Sequence, residues 1–324
     1  MADSPILWSI VFIVSIAVLS KSSDYFVTSS EKIGIHFNLP QFITGAIIVA
    51  LGTSLPELAA SIASVIYDTS EIVIGNVIGS NITNIFLILG VTGILGQNFK
   101  RNFEILKVDM PLLAVSAFLL AITIWDQHFS IFEGGILILG MILYITYSLS
   151  SDDIHKPFLL EGELEENEVE AYKERLPWSI WLWLVLSGVG IYFGATYTVE
   201  SITKLSGMLM IGSEIIAVTA VALGTSLPEL AVSIAAARKN NPEMAVGNVL
   251  GSNIFNTFSV VGIASLFGSL TIPASILEFS LPMMLIATLI FLFMSLENQF
   301  TKWEGWALLL LYVYFIGQVI QSQL

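Results

Sequence analysis

Two acids in this chain stand where chemistry is expected. Glu57 and Glu229 each lie in an otherwise apolar stretch, four residues after a threonine (Thr53, Thr225) and directly after a proline (Pro56, Pro228). Residues four apart share a helix face, so hydroxyl and carboxylate project together. Proline has no N–H, and its ring crowds the carbonyl four residues back. The helix is therefore expected to kink or unwind near Gly52 and bare the carbonyls around Ala50 to Thr53. Farther on, Ser80 and Asn84 are four apart, as are Ser252 and Asn256. Gathered together, these groups give two carboxylates, two amide oxygens, hydroxyls and carbonyls, with no His or Cys. An all-oxygen set suits a hard cation, and Ca²⁺ takes about 6–8 oxygens. Two carboxylates balance one Ca²⁺ or two Na⁺.

The set recurs because the sequence repeats itself. LGTSLPEL occupies 51–58 and again 223–230, and sliding 51–86 onto 223–258 at a constant offset of 172 gives 22 identities in 36 positions. Each copy ends in GNxxGSNIxN, from Gly75 to Asn84 and from Gly247 to Asn256. Small residues four apart, as at Gly75/Gly79 and Gly247/Gly251, let helices approach closely. A GxxxG alone marks packing, and a lone acid marks a membrane interface. Neither accounts for the same acid, Pro, Thr and Asn at one offset in both halves. A charge at mid-membrane costs about 2.5–3.5 kcal/mol even on the lenient insertion scale. Two such acids persist where a cation or proton compensates them.

The elements that must position these groups are membrane spans. The chain has 324 residues, of which 55% are hydrophobic and 12% charged, with a mean hydropathy of +0.84; a soluble domain carries about 25% charged residues. Apolar stretches fall at about 6–28, 38–65, 72–95, 108–126, 130–149, 178–203, 212–237, 244–268, 276–296 and 302–322, each near the roughly 20 residues a helical span needs. The runs from Leu112 to Trp125 and from Trp306 to Phe315 do not alternate as a barrel strand does. The predicted fold is an all-α membrane protein of ten transmembrane helices. The five-helix repeats 1–150 and 177–324 flank an acidic cytoplasmic loop at 151–176. The terminal MADSP lacks the positive region of a cleaved signal, so the first stretch is taken as a span.

With the N-terminus outside, 11 of the 12 Lys and Arg residues fall on the inner side, Lys204 being the exception. The positive-inside rule then gives N-out and C-out. Five spans per half is an odd number, so the halves insert with opposite orientation: an inverted repeat, with its site near the midplane. Asp24 is placed near the inner end of the first span. Glu71 and Glu243 match across the copies and fall at span starts. The net charge of −14 gathers largely in residues 152–174, and there is no basic tract for nucleic acid. Zero cysteines exclude disulfides and thiolate metal sites. No cofactor is expected; the partners are inorganic cations and the lipid bilayer of a cell membrane, most simply a prokaryotic one. Without a nucleophile–base pairing, an enzyme is disfavoured.

On GTSLPE…GNxxGSNI, present as Gly52 to Asn84 and Gly224 to Asn256, and on the five-plus-five layout, the chain resembles the calcium/cation antiporter superfamily, in particular its prokaryotic sodium/calcium exchanger-like members. The proton/calcium branch carries an acid within GNxxE, where this chain has Val77 to Gly79 after Gly75-Asn76. The resemblance implies Glu57 and Glu229 as the principal Ca²⁺ ligands. It implies hydroxyl or carbonyl ligands from Thr53, Ser54, Thr225 and Ser226, mostly to Na⁺. Ser80 and Ser252 would line flanking Na⁺ sites, Asn84 and Asn256 would complete the centre, and the carbonyls of Ala50 and Ala222 would join. Some members carry Asp at the position of Asn256, and potassium-dependent members carry Asp in the centre; Asn in both copies argues against potassium dependence here. The implied activity is Ca²⁺/Na⁺ exchange by alternating access. The alternatives are H⁺/Ca²⁺ antiport on the same glutamates and, further off, a cation channel.

Overall fold

The structure, a computed structural model, describes residues 4–95, 99–100, 106–150, 172–208, 225–296 and 299–323. The described chain is helical: α1 (Pro5–His36), α2 (Gln41–Ile66), α3 (Glu71–Leu95), α4 (Leu106–Thr123), α5 (Ile131–Ser150), α6 (Trp178–Met208), α7 (Leu227–Arg238), α8 (242–264), α9 (Ile276–Ser295) and α10 (Lys302–Gln323). One backbone pairing was not foreseen, a two-residue antiparallel ladder with Phe99 opposite Phe300. Among the described residues seven helices are long and apolar enough to cross a membrane. Their outward faces carry large apolar residues such as Ile6, Ile13, Leu143 and Leu310. On a soluble monomer such patches are rare; facing lipid they are the ground state. The acidic run lies outside the described residues except for its last member, Glu174, and Ala222 lies outside them too.

Burial sorts the helices. The core is built on α3 and α8: every residue from Met244 to Phe255 is buried, and most of α3 is too. The helix α1 lies along α6 at the periphery. There the Gly194 backbone meets that of Leu19, and Thr198 donates to Ser15 Oγ at 2.8 Å. α1 runs eight residues past the predicted span end at 28, so Asp24 lies within the helix rather than near its end. Its last turns hold Ser29, Ser30 and Glu31, polar by sequence yet buried against neighbours.

Several local structures recur between the halves. Two residues past the ends of α2 and α7 the backbone takes positive φ, at Asp68 (58°) and Asn240 (54°), an offset of 240 − 68 = 172. In each turn an amide N–H reaches back to a carbonyl five residues earlier, Thr69 to Ser64 at 2.8 Å and Asn241 to Ala236 at 3.0 Å. Asn and Asp tolerate this left-handed conformation better than other side chains. Glu71 and Glu243 stand in the first turns that follow. α5 and α10 open with the same capping box, Ser130/Glu133 and Thr301/Glu304, which satisfies helix-start N–H groups reciprocally.

The helices also trade partners. α3 crosses α10 where Gly90 meets Gly305: a methyl on either would stand 3.1 or 2.7 Å from the other's carbonyl oxygen. α8 crosses α5 where Gly262 meets Gly134, at 3.0 and 3.3 Å. Gly262 is the repeat partner of Gly90 (262 − 90 = 172), and Gly134 that of Gly305 (305 − 134 = 171). Each central helix is therefore braced by an outer helix from the opposite half.

Candidate functional site

Glu57 sits on α2 and Glu229 in the first turn of α7; each is 1% exposed, and the two carboxylates interact electrostatically. α3 carries Ser80 and Asn84, and α8 carries Ser252 and Asn256, all buried. Ser54 donates to Glu229 Oε1 at 3.1 Å, tying the first copy of the motif to the acid of the second. Ser80 and Thr225 join their hydroxyls at 3.3 Å, again across the halves. Thr53 reaches Asn248 Oδ1 at 3.3 Å, and Ser252 reaches the same oxygen at 3.5 Å. Of the predicted site residues, eleven lie in the described structure; hydrogen bonds link Ser54 to Glu229, Ser80 to Thr225, and Thr53 and Ser252 to Asn248, which also reaches the Glu229 backbone oxygen. Ala222 lies outside the described residues.

The backbone differs from expectation in the first copy. α2 stays α-helical from Ala50 to Ile66, straight through Pro56. The departure from regularity comes earlier, as a π-helical stretch at Thr44–Val49. The Ala50 carbonyl is not bare either, since Thr53 Oγ1 lies 3.3 Å from it and 3.2 Å from that of Val49. The threonine hydroxyl turns back onto its own helix, as short hydroxyl side chains do. The second copy differs, and its described residues begin at Thr225. Thr225 and Ser226 form a turn, and α7 begins only at Leu227 with Pro228 in its first turn. Proline is suited to a helix start because the N–H it lacks would be unpaired there. Glu229 thereby faces the unpaired N–H end of a helix, where negative charge is favoured.

Sequence reasoning missed a second irregularity. A π-helical stretch starts at Asn84 in α3 and another at Asn256 in α8. Such wide turns cluster at functional positions. It also passed over three buried asparagines, Asn81, Asn248 and Asn253. The signal was present, since all three belong to the repeated GNxxGSN.

The donor set is all oxygen, and several of its atoms have no hydrogen-bond partner among the described residues: both oxygens of Glu57, Oε2 of Glu229, Oδ1 of Asn84, both ends of the Asn256 amide and Oγ of Ser226. Buried polar atoms are nearly always partnered. A cluster of unpartnered acceptors around two carboxylates is what a desolvated cation requires. No third His, Cys, Asp or Glu joins them among the described residues, so the formal charge of the centre is −2. With no nitrogen or sulfur ligand, the set fits Ca²⁺ or Na⁺ and not a softer metal.

The architecture is that of a multi-pass membrane protein with a polar, oxygen-lined centre between two repeated motifs. The chain matches the profile of the sodium/calcium exchanger protein family over residues 7–150 and 179–321. It belongs to that family. The sodium/calcium exchanger MaX1 of Methanosarcina acetivorans is 35% identical to it over 95% of this chain and 97% of that protein. The uncharacterized membrane protein MJ0091 of Methanocaldococcus jannaschii is 32% identical over 95% and 96% of the two chains. A solved structure of the sodium-calcium exchanger NCX_Mj, soaked with 2.5 mM Na⁺ and 0.1 mM Sr²⁺, superposes with a TM-score of 0.79 at 30% identity, covering 97% of this chain and 99% of that one.

Proposed function

We propose that this protein exchanges Na⁺ for Ca²⁺ across the cell membrane, both ions competing for the cage between Glu57 and Glu229. The observation that carries the reading is the group of unpartnered buried oxygens around two carboxylates. Glu57 and Glu229 are its Ca²⁺ ligands, and Asn84 and Asn256 add amide oxygens. Ser80, Ser252, Thr53, Ser54, Thr225 and Ser226 supply hydroxyls to Na⁺, with carbonyl help from Ala50 and Ala222. Coupling follows from charge: emptied of cations, the cage holds two uncompensated carboxylates in a low dielectric and resists passage between its two exposures.

The two halves, 1–150 and 177–324, form an inverted pair of five-helix repeats about the loop 151–176, with both termini outside. The crossed glycine contacts support a two-fold relation, and the distribution of Lys and Arg supports the inversion. Alternating access then comes from α1 and α6, which pack on each other at the edge of the core, sliding past it.

The test is Ca²⁺ uptake into proteoliposomes driven by an imposed Na⁺ gradient. Glu57→Gln and Glu229→Gln are each expected to abolish it. Near-normal uptake in either would sink the site assignment. Uptake driven by a pH gradient in Na⁺-free buffer would make the coupling ion a proton, and current without a counter-ion would indicate a channel.

A further inference from the structure

Three buried asparagines of the repeated GNxxGSN surround the cage without belonging to it, and their hydrogen bonds have a direction. An amide side chain is nearly symmetric in shape but not in chemistry: one end accepts, the other donates. A cation needs the oxygen, and the wrong end presents N–H groups to it. Something must decide which end of each amide faces the cage.

Asn253 Nδ2 lies 3.4 Å from the backbone oxygen of Asn81. A carbonyl only accepts, so the nitrogen of Asn253 is fixed on that side and its Oδ1 on the other. That oxygen accepts from Asn84 Nδ2 at 2.8 Å. With its nitrogen committed, Asn84 leaves Oδ1 unpartnered among the described residues. Asn248 repeats the logic on hydroxyls. Its Nδ2 reaches the backbone oxygen of Glu229 at 3.4 Å and Ser233 Oγ at 2.9 Å. Its Oδ1 therefore faces Thr53 and Ser252, at 3.3 and 3.5 Å. Ser252 donates toward it, which leaves its lone pairs free to face elsewhere; the single proton of Thr53 goes to its own helix, at 3.2 Å from the Val49 carbonyl.

The device is closed on one side only. Asn81 is the repeat partner of Asn253, and its Nδ2 likewise lies 3.4 Å from the backbone oxygen of Asn253. Yet Asn81 Oδ1 and Asn256 Nδ2, the pair that would mirror Asn253 and Asn84, have no partner among the described residues.

We propose that Asn253 and Asn248 are positioning residues that relay the polarity of a backbone carbonyl to the cage, making Asn84 an oxygen ligand and turning the Ser252 hydroxyl into an acceptor. Asn84 is set before any ion arrives; Asn256 is set by the ion, its nitrogen then closing onto Asn81 Oδ1. The inference rests on the cage assigned above. Groups that orient metal ligands typically change affinity about 10–100-fold when removed.

The test is a double-mutant cycle read by equilibrium ⁴⁵Ca²⁺ binding to the purified protein. Asn253→Leu is expected to weaken binding at least about tenfold. Asn84→Asp has oxygen at both ends and no wrong end to present. In that background Asn253→Leu is expected to cost less than about twofold, a non-additivity diagnostic of coupling. Equal losses in both backgrounds, or no loss in the single variant, overturn the proposal. If Asn253→Leu does not elute as a single folded species, Asn253→Ser is carried through the same cycle. Glu57→Gln, run alongside, separates the two ideas: binding retained there removes the cage itself, whereas binding lost there but kept in Asn253→Leu removes only the relay.

Discussion

At the scale of single residues, the unusual side chain is Glu57. It is 1% exposed, and neither carboxylate oxygen has a hydrogen-bond partner among the described residues. Glu229 holds at least the Ser54 hydroxyl and the start of α7. The two acids are equivalent by sequence and unequal in surroundings. Glu57 is thus the more dependent on a bound ion. Charge at the centre should set the balance between holding and releasing Ca²⁺. Asn256→Asp makes the formal charge −3 and is expected to tighten Ca²⁺ binding by about tenfold or more, since even at an effective dielectric near 20 a neighbouring charge is worth several kcal/mol. Maximal exchange should fall as release slows. A Ca²⁺ titration of initial uptake rates reads both constants, and an unchanged half-saturation would count against Asn256 as a ligand. The candidate ligands were legible because duplication marked them: a residue type that survives at one offset in both halves stands out without any structure. Asn248 and Asn253 were equally visible as letters. Their roles were not, because each depends on partners in other helices and in the other half of the chain.

At the scale of elements, what matters is how closely helices approach. Gly247 and Gly251 press α8 onto α2, where a methyl would overlap the carbonyl oxygens of Phe42 and Ala46. Gly317, on α10, has nothing within 4 Å of the corresponding position. Gly251→Ala is therefore expected to lower stability by about 1–3 kcal/mol through overpacking. Gly317→Ala should leave it unchanged or slightly raised by better helix propensity. Thermal unfolding in detergent distinguishes them, and equal midpoints would show that the α2–α8 contact yields without strain. The wide turns at Asn84 and Asn256 act at the same scale: one extra residue in a turn rotates everything beyond it by about 100° relative to a regular helix. Nothing in the local sequence announces such a turn. Pro56 did announce a break, but α2 passes through it, whereas α7 begins only at Leu227 beside Pro228, so the six letters TSLPEL adopt different backbones in different surroundings. The length of α1 was hidden for a related reason. Hydropathy ends the span near 28, whereas Ser29, Ser30 and Glu31 are covered by neighbours that no local window contains.

At the scale of the whole molecule, the exchange of braces makes the halves interdependent. Residues 1–150 or 177–324 expressed alone should not yield a single folded species on size-exclusion chromatography, whereas the two fragments expressed together should recover both the elution profile and Na⁺-driven Ca²⁺ uptake. A stable lone half would contradict the bracing through Gly90/Gly305 and Gly134/Gly262. The same crossing bears on the order of assembly. Synthesis delivers Gly90 long before Gly305, 215 residues downstream. Until α10 arrives, α3 lacks its seat, and Asn81 and Asn84 stand in the membrane without the side chains of α8 that complete them. Domains generally fold as units while the chain emerges, but no such unit closes here at the midpoint. The first half must wait, inserted and unfinished, so the interval between its insertion and the arrival of α10 is when membrane quality control has most to act on.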